Sequence, residues 1–302
     1  MHGKHKIWII AYGIILTAFT AFVLLDAFVI PKNIVTPEEY VSKSEEDGGD
    51  DETDLVISTD TSYESSSISI KIETKCIHDT QVYIADVVIK NTSYLRAGLA
   101  DGVFGRNVKA KTSVIAEENQ AIFAVNGDYY GYRDRGYVMR NGYLYRSTAR
   151  SGSGNEDLVI YEDGNFEIAD ENAVTAQELR ENGAIHIFSF GPGLVNEGEI
   201  TVGEKSEVQE SMLSNPRCAV GMVEPLHYKF VVSDGRTDES EGLSLYQLAQ
   251  VMKNEECSVA YNLDGGGSAT MWFMGKIINY PTTDGKEMHE RRVSDIVYIG
   301  EQ

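Results

Sequence analysis

"RCAVGMVEPLHYKFVVSDGR", Arg217–Arg236, sets two apolar runs either side of the short Glu224–Leu226 turn and ends in a polar loop. It reads as a hairpin. A helix follows. Ser244 with Gln247 three residues on is a capping-box pattern, and Leu245, Leu248, Ala249 and Met252 fall on one helical face. "SVAYNL" (Ser258–Leu263) is then a further strand, which opens into Asp264–Ser268, "DGGGS". If the strands before and after the helix run parallel in one sheet, the crossover is right-handed and both C-terminal ends lie along one edge. Asp234–Arg236 and Asp264–Ser268 would then open onto the same crevice, the usual ligand site of such sheets. Three ordered glycines in a row carry an entropic cost, so the loop is either a well-made turn or a stretch of bare main chain near a ligand. Pattern alone leaves both open.

Upstream, the alternation of Ile68, Ile70 and Ile72 in Ser67–Lys75 predicts a half-buried strand, with Gln81–Ile89 as its partner. "AIFAV" (Ala121–Val125) is a buried strand running into "NGDYYGYRDRG", and Asn141–Gly142 marks a hairpin turn. The expected class is α+β: a mixed β-sheet core flanked by helices, forming one domain over residues 67–302.

Residues 1–6 carry Lys4 and Lys6, and Ile7–Leu25 is uncharged and mostly apolar. About twenty such residues cross a bilayer as a helix. Residues 7–30 are therefore expected to be a transmembrane signal anchor with a cytoplasmic stub before it and Asp26 near the outer interface; a cleaved signal peptide is the alternative, and it too exports the domain. Thr36–Asp54 holds nine acidic residues and one lysine, so residues 31–66 are expected to be a solvated linker. The formal net charge of −21 argues against nucleic acid, which calls for a basic footprint. Cys76, Cys218 and Cys257 have no metal-type spacing; free buried thiols are expected, with one disulfide as the alternative.

The chemistry-bearing residues collect in the loops. The Gly265, Gly266 and Gly267 amides can form an anion nest, and Arg217 and Arg236 can fork onto phosphate or carboxylate. Asp264, Asp234, Asn126 and Asp128 stand at strand ends, and tyrosines crowd the loop after Asn126, where their faces suit a sugar ring. His186, His227 and His289 are scattered, and no metal or cofactor is implied. There is no H-E-x-x-H, G-x-S-x-G or Walker loop.

Six stretches, in order, resemble the motifs of the phosphodiester glycosidase family: "FAVNGDYY" (Phe123–Tyr130), "FSFGPGLVNEG" (Phe188–Gly198), "NPRCAVGM" (Asn215–Met222), "VSDGR" (Val232–Arg236), "YNLDGGGSATM" (Tyr261–Met271) and "RRVSDIVYI" (Arg291–Ile299). The sequence departs from the family at Asp128, where glycine is commoner, and in having Tyr129–Tyr130 for two phenylalanines. "LLDAFVIPK" resembles membrane-anchored members from Gram-positive bacteria, often described as exopolysaccharide-biosynthesis proteins. The resemblance implies hydrolysis of sugar–phosphate bonds in phosphorylated glycans or sugar-1-phosphodiesters. It makes Asp264 the first candidate for the catalytic carboxylate, with Asp234 and Asp128 behind it. Asn126, Gly127, Arg217, Arg236, Asn262, Gly265, Gly266, Gly267, Ser268 and Arg292 are the candidates for substrate or phosphate binding. A glycosyl transferase and a non-catalytic glycan-binding module remain as alternatives.

Overall fold

The computed structural model describes residues 2–36, 55–207 and 214–301. Its central hairpin pairs Arg217–Glu224 with His227–Ser233 in antiparallel register. Val259–Asn262 pairs antiparallel with the other side of Arg217–Glu224. The strands before and after the helix thus run parallel, as expected, but the Arg217 strand lies between them. The insertion brings a third strand end to the shared edge. Arg217 stands opposite Ser233, and Ala219 opposite Asn262, so the start of the middle strand meets the ends of its two neighbours.

The sheet has nine strands, and each hydrogen-bonded neighbour in it is antiparallel. The class is α+β. In this sheet, parallel relationships occur between non-neighbours. The Leu245–Asn254 helix begins with the predicted capping box: Gln247 N donates to Ser244 Oγ (3.1 Å) and Ser244 N to Gln247 Oε1 (2.8 Å). Its apolar face packs on Val82, Ile84, Ala219 and Val231. Gly221 lets it lie close, since a Cβ there would stand 2.7 Å from Met252 Cε.

Strand periodicity sends Cys218, Val220, Phe230, Val232 and Tyr261 to the other face. There they meet Phe123, Val125, Met271, Phe273, Val297 and Ile299, from a five-stranded sheet ordered Lys276–Ile277, Met271–Phe273, Phe123–Asn126, Asp295–Ile299, Leu95–Leu99. Burying each such large apolar side chain contributes about 1.5–3 kcal/mol. A second five-stranded sheet carries the expected turn, with Asn141 and Gly142 both at positive φ, as a two-residue hairpin of that type requires.

The described parts of the expected linker, residues 31–36 and 55–66, contain strands. Ser62–Glu64 and Ile57–Ser58 extend the large sheet beyond Ile68–Cys76. Tyr63 is buried, and its hydroxyl donates to Glu301 (2.7 Å). Lys32–Val35 pairs with Phe104–Arg106, and Val35 packs on a cluster of Leu99, Phe104, Tyr130 and Val138. Short polar edge strands carry little hydrophobic pattern, which is why composition hid them. The acidic run 37–54 lies outside the described residues. Before it, His2–Phe28 is one helix, and Ile10–Phe28, with a mean hydropathy of 2.0, is long and apolar enough to cross a membrane. All three cysteines are free; Cys218 and Cys257 are buried, but Cys76 is exposed.

Candidate active site

The edges of the two large sheets are stitched together around Asp264. Its N–H donates to Gly127 O (3.2 Å), and Leu263 N donates to Cys218 O (2.8 Å). Asn126, fully buried, donates through Nδ2 to Asp264 O (2.6 Å), and its Oδ1 accepts from Thr270 N (3.1 Å). Asn262 donates from Nδ2 to Gly191 O (2.8 Å) and from N to Pro192 O (3.1 Å), which fixes the loop containing the cis Gly191–Pro192 bond against the same edge. Asn262 Oδ1 and Thr270 Oγ1 are buried without a partner among the described residues, leaving polar capacity here that the fold does not use.

One amide of the expected nest is committed within the fold. Gly266 N already donates to Pro216 O (2.8 Å). What the three residues share is that another group occupies the space of the missing side chain. A Cβ on Gly265 would meet Pro216 O at 2.8 Å, one on Gly266 would meet Arg236 Nη2 at 2.9 Å, and one on Gly267 would meet Thr283 Oγ1 first and then Arg291 Nη2 at 3.0 Å. The loop is bare so that two guanidiniums can lie against it.

Arg236 is held by Asn215 Oδ1, which accepts from Nη2 (2.9 Å) and Nε (3.2 Å), and by Thr283 O, which accepts from Nη1 (2.8 Å). Burial, and then the neighbouring Arg291 charge, pull its pKa below the ordinary arginine value. Neither Arg236 nor Arg291 has a carboxylate salt bridge among the described residues. Two like charges converging this way favour an anion between them. Arg217 is buried at the strand start and donates from Nε to Leu243 O (2.9 Å); burial lowers its pKa to about 10. Arg292 is exposed on the short Arg292–Val293 strand opposite Lys111. Successive side chains on a strand point to opposite faces, so Arg291, not Arg292, is the member of the pair beside the glycine loop.

Asp264 is half-buried. Burial raises its carboxyl to about 6, against the opposing pull of the Ser268 hydroxyl, the Arg291 charge, the Gly265 amide and the Arg133 charge. Ser268 Oγ itself is buried and makes no hydrogen bond of good geometry.

The other two candidate carboxylates are committed elsewhere. Asp234 Oδ1 accepts from Tyr280 N (2.7 Å) and Asn279 Nδ2 (3.4 Å), and Oδ2 accepts from the Tyr83 hydroxyl (2.9 Å). Asn279 in turn accepts from Met271 N (2.8 Å), so Asp234 fastens the segment that follows the glycine loop. Asp128 lies in a fully buried triad. Its Oδ2 accepts from Arg140 Nη2 (2.9 Å) and Ser189 N (3.0 Å), and its Oδ1 from Tyr130 N (2.8 Å). Arg140 Nε donates to Asp295 Oδ2 (2.7 Å). The guanidinium and the amides hold Asp128 below the usual carboxylate range despite burial. Burial and the Asp128 charge push Asp295 up against the pull of Arg140. Gly127 has no side chain because the Asp295 carboxylate fills that space.

An aromatic wall stands beside Asp264. Tyr129 stacks on Tyr132 with centroids 4.4 Å apart, Phe190 meets Tyr129 edge-on at 6.4 Å, and Arg133 lies 5.4 Å over both Tyr129 and Phe190. Burial, then the Asp264 charge, raise both stacked phenols. Tyr132, Arg133 and Phe190 also line a cleft of ≈580 Å³ with Asn155 and Pro192. Arg291, Arg133, Arg140 and Asp295 were not singled out from sequence. The "RR" of Arg291–Arg292 carried a signal, but strand phase decides which of the two faces the loop.

The sequence profile described as "Phosphodiester glycosidase" matches residues 119–300. An uncharacterised SPbeta prophage-derived protein of Bacillus subtilis (strain 168) is 29% identical over 201 residues, covering 65% of this chain and 30% of its own length. The N-acetylglucosamine-1-phosphodiester alpha-N-acetylglucosaminidase of Bos taurus is 31% identical over 136 residues, covering 40% of this chain and 26% of its own. The chain thus spans less than a third of the length of these curated relatives. The zebrafish N-acetylglucosamine-1-phosphodiester alpha-N-acetylglucosaminidase catalytic domain, auto-inhibited by its pro-peptide, has a similar fold, with a TM-score of 0.61 and 22% identity over 78% of this chain and 83% of that one. With the profile matched over more than half its length, the chain belongs to the phosphodiester glycosidase family.

Proposed function

We propose that this chain hydrolyses glycosyl phosphodiesters, breaking the bond between the sugar's anomeric carbon and a phosphate oxygen. One observation carries the reading: the Arg236 and Arg291 guanidiniums converge on the glycine loop beside the Asp264 carboxylate. The leaving group is a phosphate monoester with a second pKa near about 6, so it departs as a stable anion. It needs fixed positive charge more than a proton, and two guanidiniums supply that in the manner of oxyanion stabilisation. The ordinary glycosidase pairs one carboxylic acid with one carboxylate. Here a single available carboxylate suffices, consistent with the prior commitments of Asp234 and Asp128. Asp264, with its pKa of about 6, is mostly ionised at neutral pH and either attacks the anomeric carbon or draws the proton from water. Tyr129, Tyr132 and Phe190 offer faces for the sugar ring.

The apolar helix supports a signal anchor over residues 7–30, with Lys4 and Lys6 on the cytoplasmic side and the domain outside. Surface glycans or exopolysaccharide are then the natural polymers. The test is incubation of the full chain with a panel of sugar-1-phosphodiesters, reading free sugar and phosphomonoester by mass spectrometry. Both should appear with the native chain and neither with Asp264→Asn. Free sugar in water without an acceptor separates hydrolysis from transfer. Binding without any product would leave a glycan-binding module.

A further inference from the structure

We propose that the substrates are glycosyl phosphodiesters whose other ester arm is a lipid held in the same membrane leaflet, because the exit of the apolar helix is fastened to the wall of the candidate site. This rests on the hydrolase and membrane-anchor readings above and narrows them to a substrate class.

The fastening is a chain of direct contacts. Asn107 Nδ2 donates to Ala27 O (3.2 Å) and Ile30 O (3.1 Å), the last carbonyls of the helix and its exit. Lys32 Nζ pairs with Asp26 Oδ2 at 2.5 Å. Lys32–Val35 then pairs with Phe104–Arg106. Phe104 stacks on Tyr130 at 4.9 Å, and Asn107 N donates to Gly131 O (3.0 Å). Tyr130 and Gly131 belong to the loop that presents Tyr129 and Tyr132 to Asp264. Lys109 Nζ stands 5.1 Å from the Tyr132 ring. The acidic run 37–54 comes after the docked strand in sequence, so it does not separate the helix from the site.

Charge points the same way. Arg106 is the register partner of Lys32, and Arg292 that of Lys111. Arg106, Lys109, Lys111 and Arg292 make no salt bridge among the described residues, in a chain of net charge −21. Lysines and arginines near an anionic bilayer surface are attracted to it. Arg106 beside Lys32, Lys109 over Tyr132 and the Lys111–Arg292 pair thus give so acidic a chain free cations that fit lipid phosphates. In the reaction, the anomeric C–O bond breaks, water supplies the new hydroxyl and loses a proton to solvent by way of Asp264, and the lipid keeps its phosphate monoester. Sugar leaves; the lipid phosphate stays in the bilayer.

The experiment uses the full chain in phosphatidylcholine vesicles with matched pairs of hexosyl- and N-acetylhexosaminyl-1-phosphates, esterified to hexadecanol or to methanol. A second variant carries a glycine–serine insertion of about 20 residues after Ile30, long enough for the domain to drift about 25 Å. The native chain should turn over the hexadecyl diester at least about 10-fold faster than the methyl one. The insertion should cut that advantage at least about 3-fold and leave methyl-diester turnover unchanged. Equal rates on the pair, or an advantage untouched by the insertion, would overturn the proposal. No turnover of either diester would instead reject the hydrolase reading. Geometry has its own readout: a spin label at Lys111→Cys, with Cys76→Ser, should be relaxed by gadolinium-bearing headgroups in the native chain and not in the insertion variant. A label at bulk-solvent distance in the native chain would refute the docked site whatever the activity.

Discussion

The Arg236 Nη2 atom lies 2.9 Å from where a Cβ on Gly266 would begin, and Gly266 has a φ of +59. One residue thus supplies both a left-handed backbone and room for a guanidinium. Gly266→Ala should cost roughly 1–2 kcal/mol of backbone strain and displace Arg236, lowering kcat/KM on a soluble sugar-1-phosphodiester by more than about 10-fold. Gly102, at φ +66 with open space around it, is the control. Gly102→Ala should lower Tm by a similar few degrees while kcat/KM stays within about 2-fold.

Arg291 and Arg292 are adjacent in sequence and opposite in placement. Arg291→Ala should reduce kcat/KM on the methyl diester by about 100- to 1,000-fold, the usual range for removing one group that stabilises a developing anion. Arg292→Ala should leave it within about 2-fold, as an exposed change does. The reverse order of effects would mean that the glycine loop is not the phosphate site.

Burial raises the Asp264 carboxyl to about 6, and the proposed reaction uses its ionised form. The acidic limb of kcat/KM should therefore fall as pH drops through about 6, and a flat profile across that range would contradict the assignment. Stability runs the other way. The folded pKa lies above the ordinary 3.8, so this group's contribution to stability is whole below about 3.8 and is lost as pH rises through about 6. Asp264→Asn, which cannot ionise, should melt above the native chain near pH 8 and level with it below about pH 3.8, as calorimetry would show.

The Asp128–Arg140–Asp295 triad is fully buried. Arg140→Ala leaves two carboxyls without their cation and should cost about 3–5 kcal/mol in denaturant unfolding. Asp295, whose protonated form burial already favours, should tolerate Asn far better, losing under about 2 kcal/mol. Equal losses for Asp128→Asn and Asp295→Asn would remove the distinction between the two carboxyls.

The local features were legible. The hairpin turn, the capping box and the apolar helix face each depend on residues within a few positions of one another. The departures are all long-range. Which strand inserts between the two parallel ones depends on pairing that no local pattern encodes. The role of Asp128 depends on Asp295, 167 residues away, and the docking of the helix exit depends on Asn107, 80 residues from Ala27. The glycine run left a well-made turn and a close approach both open, and which groups lie against it needed coordinates.

The most direct test is the fate of solvent oxygen. With the native chain and a methyl sugar-1-phosphodiester in water enriched in oxygen-18, mass spectrometry should find the label on the anomeric hydroxyl of the released sugar, with an unlabelled phosphomonoester. Label in the phosphate would mean that the phosphorus–oxygen bond breaks instead, contradicting glycosidic cleavage at the Asp264 edge.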